Sequence, residues 1–272
     1  MTTMTHRDGS ADYDVGEIVH AGNGYTIHRA VEKSLGTICH YHKIPYEDGV
    51  AEEKQRQSAT AQLRRFGTLL HPRTPRLMDA WFTDDHLAAV ECRLGSKPID
   101  MQTNNPLQAG SRYEHGDVMQ GSLELVAALH GCGVVHGYIE PRCFATGVGK
   151  KIHLIDTGLD RSLVLFLSAR GIEDSLTLST NLFGRDVGGW ACAILSLLAG
   201  EPVAQGSMDE KWDDFLFNQT ESTIRNCLKE EPLRDFFRRC LRGLGPGGGG
   251  FEAGIEALAW WNDHKLRGAM AT

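Results

Sequence analysis

Residues 128–141 read Ala-Leu-His-Gly-Cys-Gly-Val-Val-His-Gly-Tyr-Ile-Glu-Pro, and the rest of the chain can be read outward from this stretch. Upstream of it, apolar side chains recur at helical spacing and would share one face. The members of this face are Val118, Ser122, Leu125, Val126 and Leu129. The pattern predicts a helix that ends at Gly131 and delivers the chain into a loop of polar and small residues.

Two further stretches follow this loop. Residues 151–158 read Lys-Ile-His-Leu-Ile-Asp-Thr-Gly, and Asp186 opens a longer apolar segment. That segment is apolar on most of its faces, which predicts a buried helix. Its apolar residues are Val187, Trp190, Ala191, Ile194, Leu195 and Leu198. Two more helices are expected over Leu233 to Leu241 and Ile255 to Leu266, with the glycine run at 245–250 between them.

The first third of the chain has strand and turn signals instead. Short segments with β-branched and aromatic residues alternate with glycine-containing turns, and one longer segment rich in Glu, Gln, Arg, Ala and Leu is typical of a helix. The elements predicted here are a flexible tail at 1–11, a strand meander from Tyr13 to Ile44, a helix from about Val50 to Leu70, and strands near Leu77 to Phe82 and Leu87 to Cys92. Residues 95–98, Gly-Ser-Lys-Pro, predict a hinge.

The composition is that of a soluble globular protein: 272 residues, 41% hydrophobic, with a net charge of −7. No block of five basic residues occurs, which argues against nucleic acid or a membrane surface as a partner. The longest nearly apolar run, Val187 to Gly200, has 14 residues, fewer than the roughly 18 of a membrane span. A polar start, Met1 to Asp12, does not resemble a signal peptide, so we expect a cytoplasmic protein. Seven cysteines without a Cys-x-x-Cys pair favour reduced thiols over disulfides or structural zinc.

This order of elements, with its three motifs, resembles the protein kinase fold over roughly residues 13–266. Residues 128–141 are similar to the catalytic loop, residues 151–158 to the strand and metal-binding Asp-Phe-Gly motif, and Asp186 with the apolar helix after it to the helix that supports the loop. The resemblance implies structural roles for two residues. His136 would pack beneath the loop, and Asp186 would bond backbone amides of the loop.

The fold that the resemblance implies is α+β and bilobal. A small N-lobe, about 12–93, would hold an antiparallel sheet and one helix, and a larger, mainly helical C-lobe would span about 99–267. A hinge at about 91–98 would join them within one kinase-like domain, 12–267.

Most of the catalytic residues that the resemblance calls for are replaced. Kinases position a phosphoryl group with a catalytic Asp, a nearby Lys, an Asn and a metal-holding Asp. Here the catalytic Asp position is Tyr138, whose ordinary pKa of about 10 makes it a poor base at neutral pH. The Lys position is Glu140, and the Asn position is Cys143, which is too soft a ligand for magnesium. Asp156 alone is retained; it would hold magnesium or accept backbone hydrogen bonds. No other metal site is predicted.

The nucleotide side is altered as well. Gly22 and Gly24 are candidates for the phosphate loop, but His20 and Tyr25 stand where small residues are needed, and a simple hairpin turn is the preferred interpretation. If His42 occupies the position of the phosphate-binding Lys, His40 would fill the adenine pocket. A shift of one residue would instead put Lys43 there, and both registers stay open.

Two more residues complete the candidate nucleotide-binding set. Gln62 would replace the Glu that pairs with the phosphate Lys, and Glu91 would lie at the start of the hinge. A Gln cannot form that ion pair. We therefore predict no cofactor, or at most weak binding of ATP and magnesium.

An apolar run follows Asp156-Thr157-Gly158, where an active kinase has a polar segment. It consists of Leu163, Val164, Leu165, Phe166 and Leu167. Loops are normally polar, so something must cover these side chains. They could fold back and plug the empty cleft or substrate groove, or they could form a docking patch for a partner or a second copy.

The function expected from these replacements is that of a pseudokinase, a serine/threonine kinase homologue that acts as a scaffold or allosteric regulator in signalling. Its partners would be a protein or another copy of the chain. Two alternatives are a nucleotide-using transferase, with Asp156 and Glu140 as a carboxylate pair at the metal, and a weak kinase that uses Lys43 and a substitute base.

Overall fold

The structure, a computed structural model, describes residues 9–92, 97–168, 175–203, 214–244 and 250–264, without the side chains of 175–181 and 214–219. It is a mixed α and β protein with a five-stranded antiparallel sheet, so the predicted antiparallel sheet and helical second half are confirmed. Parts of the predicted tail (1–11), hinge (91–98) and glycine run (245–250) lie outside the described residues. Gly9–Asp12, at the end of the predicted tail, forms one 3-10 turn.

The helices and strands of the described residues are, in chain order, β1 (Tyr13–Gly22), β2 (Tyr25–Glu32), β3 (Ile38–Pro45), α1 (Glu52–Thr68), β4 (Leu77–Phe82), β5 (His86–Cys92), α2 (His115–Gly131), β6 (Phe144–Thr146), β7 (Ile152–Leu154), α3 (Leu159–Leu167), α4 (Ser175–Ala199), α5 (Asp214–Cys227), α6 (Glu231–Arg242) and α7 (Gly254–Asp263).

The chain divides into two compact units. The first contains Met1–Gly95 and Thr157–Leu178, and the second contains Ser96–Asp156 and Ser179–Thr272. The boundary differs from the contiguous one that the sequence suggests, because Thr157–Leu178 returns to the first unit. The physical reason is that α3 buries its apolar face on α1 and β3.

The sheet of the first unit has the strand order β1-β2-β3-β5-β4, with every neighbouring pair antiparallel. Asn23-Gly24 forms the tight turn between β1 and β2, where Gly24 has φ +79° and so suits a glycine. β1 is an edge strand that is exposed from Asp14 to Gly22, and its pairing with β2 is irregular on both sides of Ile18. β4 forms the opposite edge.

One face of this sheet packs around Trp81. Tyr13 stacks on the indole with ring centroids 5.8 Å apart, and Tyr41 lies at the same distance in a tilted arrangement. The core cluster contains Tyr13, Ala30, Cys39, Tyr41, Trp81, Ala88 and Val90. Gly9 lies so close to Trp81 that a Cβ would come within 2.7 Å of the ring. The 3-10 turn therefore covers this face.

The second unit is built around Trp190 of α4. Its indole N–H donates to Ser122 Oγ of α2 at 2.8 Å, and its rings pack against Phe236 and Phe237 of α6. Phe236 in turn contacts Trp261 of α7 with ring centroids 5.3 Å apart. This aromatic cluster joins four helices of the unit, and β6 and β7 form a separate two-stranded ribbon.

Most predicted helices are confirmed, and α4 is longer than its apolar pattern suggested. Residues Leu182–Ala199 of α4 are long and apolar enough to cross a membrane by length and composition alone, but 78% of that window is buried inside the protein. Such burial is typical of the core helix of a soluble protein. The helix α5 was not predicted, and α3 occupies the apolar run that the sequence placed in a connection.

The contact between α7 and α2 gives a stability prediction. A Cβ at Gly254 would lie 2.9 Å from the backbone N of Ala127 and 3.1 Å from its Cα, and backbone atoms cannot move aside as a flexible side chain can. We expect Gly254→Ala to lower the free energy of unfolding by about 1–3 kcal/mol, as overpacking does.

Gly67→Ala is the matched control, since nothing lies within 4 Å of its Cβ position on exposed α1. It should be neutral or stabilising by up to about 1 kcal/mol. Denaturant unfolding measures both variants, and equal midpoints would contradict the close packing of α7 on α2.

Candidate functional site

Asp186 organises the loop that begins at His136. The carboxylate is buried, and its two oxygens accept hydrogen bonds from consecutive amides, Oδ2 from His136 N at 2.7 Å and Oδ1 from Gly137 N at 2.9 Å. Gly137 has φ +88°, a conformation that favours glycine. The conformation of the loop thus depends on the carboxylate of Asp186, a residue of α4.

His130 gives the same carboxylate a third donor. Its Nε2 lies 3.2 Å from Asp186 Oδ2, and its Nδ1 accepts the N–H of Gly254 at 2.7 Å. The two bonds together require a proton on Nε2 and none on Nδ1. His130 therefore connects the end of α2 to α4 and to the first turn of α7.

His136 is completely buried and fixed from both sides of its ring. Tyr138 N–H donates to His136 Nδ1 at 3.3 Å, and Nε2–H donates to the backbone carbonyl of Asp156 at 3.0 Å. The ring thereby links the loop to Asp156, which lies shortly after the end of β7. This is a positioning role for His136.

Tyr138, Glu140 and Cys143, which the resemblance sets at catalytic positions, have distinct surroundings. Tyr138 is 39% exposed, and partial burial, followed by the nearby charge of Glu140, raises the pKa of its hydroxyl. Glu140 pairs with Arg142, which raises the pKa of the guanidinium further. Cys143 is buried, and its thiol donates to the carbonyl of Tyr138 at 3.6 Å. Glu140 is thus engaged by Arg142, and the Cys143 thiol by a backbone carbonyl.

Cys143 and Asp156 are held side by side by the backbone. Ile155 N and Asp156 N both bond to the carbonyl of Cys143, at 2.8 Å and 3.4 Å, and Cys143 Sγ lies 3.9 Å from Asp156 Oδ2. With His136 they form a cluster whose donor atoms all lie within 4.8 Å of one another. This is the group of side chains in the second unit that could hold a metal ion.

In the first unit, the turn at Gly22 and Gly24 is closed by side chains. A Cβ at Gly22 would come within 2.2 Å of the ring of Tyr25, and Tyr25 OH lies 3.2 Å from His20 Nε2. Burial, together with the nearby Asp160 of α3, raises the pKa of Tyr25 to about 12. Gly24 is also near α3, since its Cβ position is 3.4 Å from Val164 Cγ1. Side chains therefore occupy the inner side of the hairpin.

The pairing of β3 decides where His42 and Lys43 lie. His42 is buried beside Glu91, with Nε2 at 3.9 Å from Oε2, whereas the Lys43 side chain is 40% exposed and its Nζ lies 3.4 Å from Asp85. The alternation of strand side chains puts these two residues on opposite faces. His42 therefore shares its face with Glu91, whereas Lys43 lies on the face of Tyr41 and the Trp81 cluster.

Two polar side chains, Glu91 and Thr157, meet on the face of His42, and Gln62 is buried in α1. Thr157 Oγ1–H donates to Glu91 Oε1 at 2.6 Å, and Gln62 of α1 accepts from Arg65 at 3.4 Å. Glu91 is 4% exposed, so its carboxylate points inward in β5 rather than to solvent. The Glu91–Thr157 contact was not anticipated, because nothing in the sequence pairs residues so far apart.

The apolar run lies in α3 and is mostly buried. Leu163, Phe166 and Leu167 are at most 2% exposed, and Val164 and Leu165 are half-buried. Ser58 of α1 donates to the carbonyl of Phe166 at 2.6 Å. Burial on α1 and β3 favours the interpretation that the run folds back on its own unit. The spacing of Leu159, Leu163, Phe166 and Leu167 is the signal that could have predicted a helix.

No protein-family model matches the chain, and no curated protein is significantly similar to it.

The packing of α3 gives a second prediction. Phe166→Ala should cost about 3–5 kcal/mol of stability, because the side chain is fully buried and leaves a cavity. Val164→Ala, in the same helix but half-buried, should cost ~1 kcal/mol. Thermal or denaturant unfolding measures both. Unchanged melting together with lost association would instead assign α3 to a docking surface.

A third prediction concerns Asp186. Asp186→Ala should cost about 3 kcal/mol or more, because the buried N–H of His136, the part-buried N–H of Gly137 and the ring of His130 lose their acceptor. Each unsatisfied buried donor costs about 1–3 kcal/mol. Asp263→Ala, at the exposed end of α7, should stay within about 0.5 kcal/mol of the unchanged protein. If the two variants unfold alike in denaturant, the Asp186 carboxylate does not hold the loop.

Proposed function

We propose that the chain is a degenerate protein kinase-like domain, a pseudokinase that binds protein partners without transferring phosphate. The first unit would correspond to the N-lobe and the second to the C-lobe of a bilobal kinase-like fold. The observation that carries the proposal is the pair of hydrogen bonds from the His136 and Gly137 amides to Asp186, in a loop whose chemical positions are Tyr138, Glu140 and Cys143.

The contacts of the loop in the second unit favour a structural role for this loop and not a role in phosphotransfer. Asp186 and His130 tie the loop to α4 and α7, so its shape contributes to folding. A phosphoryl transfer site needs positive charge near the transferring group and a base near the attacking hydroxyl. Glu140 supplies the opposite charge, and Tyr138, whose pKa is raised, is protonated at neutral pH.

The side chains of the first unit favour weak or absent nucleotide binding. The buried face of the sheet presents His42 and Glu91 where a kinase-like site needs a Lys, and Gln62 of α1 carries no charge. Tyr25 and Val164 crowd the inner side of the β1–β2 turn. We infer that the role of the protein is to bind other proteins in the cytoplasm, where thiols stay reduced.

The transferase alternative has less support. It needs Asp156 and Glu140 to act together at a metal, but Glu140 forms an ion pair with Arg142. A weak kinase would need Lys43 in the nucleotide site, and Lys43 lies half-exposed beside Asp85. Incubation with γ-labelled and α-labelled ATP separates the three functions: no label supports the pseudokinase, α-label the transferase, and γ-label alone the kinase.

The fourth prediction tests nucleotide binding directly. A ligand at 100 times its Kd would add about 2.7 kcal/mol of stability, which a thermal shift detects. We expect no shift with ATP and magnesium, because the residues above do not form a phosphate site. The comparison variant is Asp156→Ala. A magnesium-dependent shift in the unchanged protein that disappears in this variant would overturn the proposal and favour the transferase.

A further inference from the structure

Three different donor types meet inside the second unit, in the cluster formed by His136, Cys143 and Asp156. An imidazole nitrogen, a thiol sulfur and a carboxylate oxygen lie within 4.8 Å of one another, and two of the three side chains are buried. Together they are the ligand types that zinc takes in proteins. We propose that this cluster binds a zinc-class ion, with Cys143 as its thiolate ligand.

The backbone already holds the three ligands in place. The Asp186 carboxylate fixes His136 through its amide, and the carbonyl of Cys143 accepts from Ile155 N and Asp156 N. Cys143 itself closes a short 3-10 turn, with its N–H bonded to Glu140 O at 3.0 Å. Metal binding would therefore order few groups that are not ordered already, and preformed sites bind more tightly for that reason.

The distances require a small inward movement. Bond lengths of about 2.0 Å to nitrogen and oxygen and about 2.3 Å to sulfur place tetrahedral ligand atoms roughly 3.3–3.7 Å apart. Cys143 Sγ and Asp156 Oδ2 are 3.9 Å apart, which is close to that range. The remaining adjustment, to reach 3.3–3.7 Å from at most 4.8 Å, is about 1 Å and within reach of side-chain rotation.

The hydrogen bonds of His136 identify the coordinating nitrogen. Nε2–H donates to the Asp156 carbonyl at 3.0 Å, and such a bond to a backbone carbonyl is the usual way a metal-bound His is oriented. Nδ1 carries the lone pair and accepts a longer bond, 3.3 Å, from Tyr138 N. Exchange of that weaker bond for a metal bond leaves the ring in its present tautomer. In this arrangement Nδ1 would be the ligand atom.

The charge balance favours a divalent ion of this class. On binding, the Cys143 thiol loses its proton to solvent, so a thiolate and the Asp156 carboxylate offset the two positive charges of zinc. A neutral buried site avoids the cost of an uncompensated charge. Magnesium is disfavoured, because it prefers oxygen ligands in octahedral geometry. Three protein ligands leave a fourth tetrahedral position for water or another ligand.

The experiment uses the whole chain, freed of metal by a chelator and then titrated with zinc, cobalt or magnesium ions. We expect one equivalent of zinc to bind, with a saturable rise of the melting temperature. Cobalt should give a near-ultraviolet thiolate charge-transfer band, and magnesium should give neither effect. No nucleotide is present, so the result is independent of the pseudokinase proposal.

Two variants and one control assign the site. Cys143→Asn should remove the cobalt thiolate band and weaken zinc at least tenfold, and Asp156→Asn should weaken zinc to a similar degree while retaining the band. Cys132→Ser, a half-buried thiol outside the cluster, should change neither. A thiolate band that persists in Cys143→Asn, or zinc affinity that is unchanged in it, would overturn the proposal.

The unchanged protein provides an answer even if Cys143→Asn does not fold. X-ray absorption at the zinc edge should show one sulfur neighbour among nitrogen and oxygen neighbours. A zinc-loaded chain without a sulfur neighbour, or a chain that binds no zinc at all, would overturn the site.

Discussion

The second unit depends on how the buried negative charge of Asp186 is compensated. No cation is needed, because three N–H donors, two consecutive loop amides and the ring of His130, converge on two oxygens. Each donor is useful only if its own segment is in place, so the end of α2, the loop after it and α4 must form together. Gly254 extends this dependence to α7 through the other nitrogen of His130. The shape of the loop is therefore held through its backbone amides.

In the first unit, one buried carboxylate is that of Glu91. Glu91 is buried in β5, where its neighbours are His42 and the hydroxyl of Thr157. Thr157 opens the segment that returns to this unit, and α3 then covers the same region with Leu163 and Phe166. Polar contacts and apolar burial thus act on the same segment, which explains why it belongs to the sheet and α1 although it lies far away in sequence.

Much of the secondary structure could be predicted because its patterns are local. All five strands of the sheet and the helices α1, α2, α4, α6 and α7 follow from spacing, glycines and prolines. The helix α5 could not, because Asp214–Cys227 is rich in Asn, Gln, Thr, Glu and Ser and has few apolar positions. For the run in α3 the sequence leaves open a segment that folds back or an exposed strand or short helix, and its burial on α1 and β3 depends on tertiary packing.

The candidate site was predictable in part. The motif spacing places His136, Cys143, Asp156 and Asp186 in one region through a resemblance, but the sequence does not contain their distances. The choice between His42 and Lys43 depends on which face of β3 meets Glu91, and that is set by tertiary packing. The pairing of Glu91 with Thr157 has no local signal for the same reason.

The irregular edge strand β1 bears on solubility. A long, flat strand with free N–H and C=O groups is a template on which other chains can add, and β1 exposes Val15, Ile18 and Val19 as well. Its irregular pairing on both sides of Ile18 interrupts the row of free backbone groups and increases the local twist. An incoming strand would find no continuous run of partners there. The irregular pairing therefore lowers the tendency of this edge to add strands from other chains.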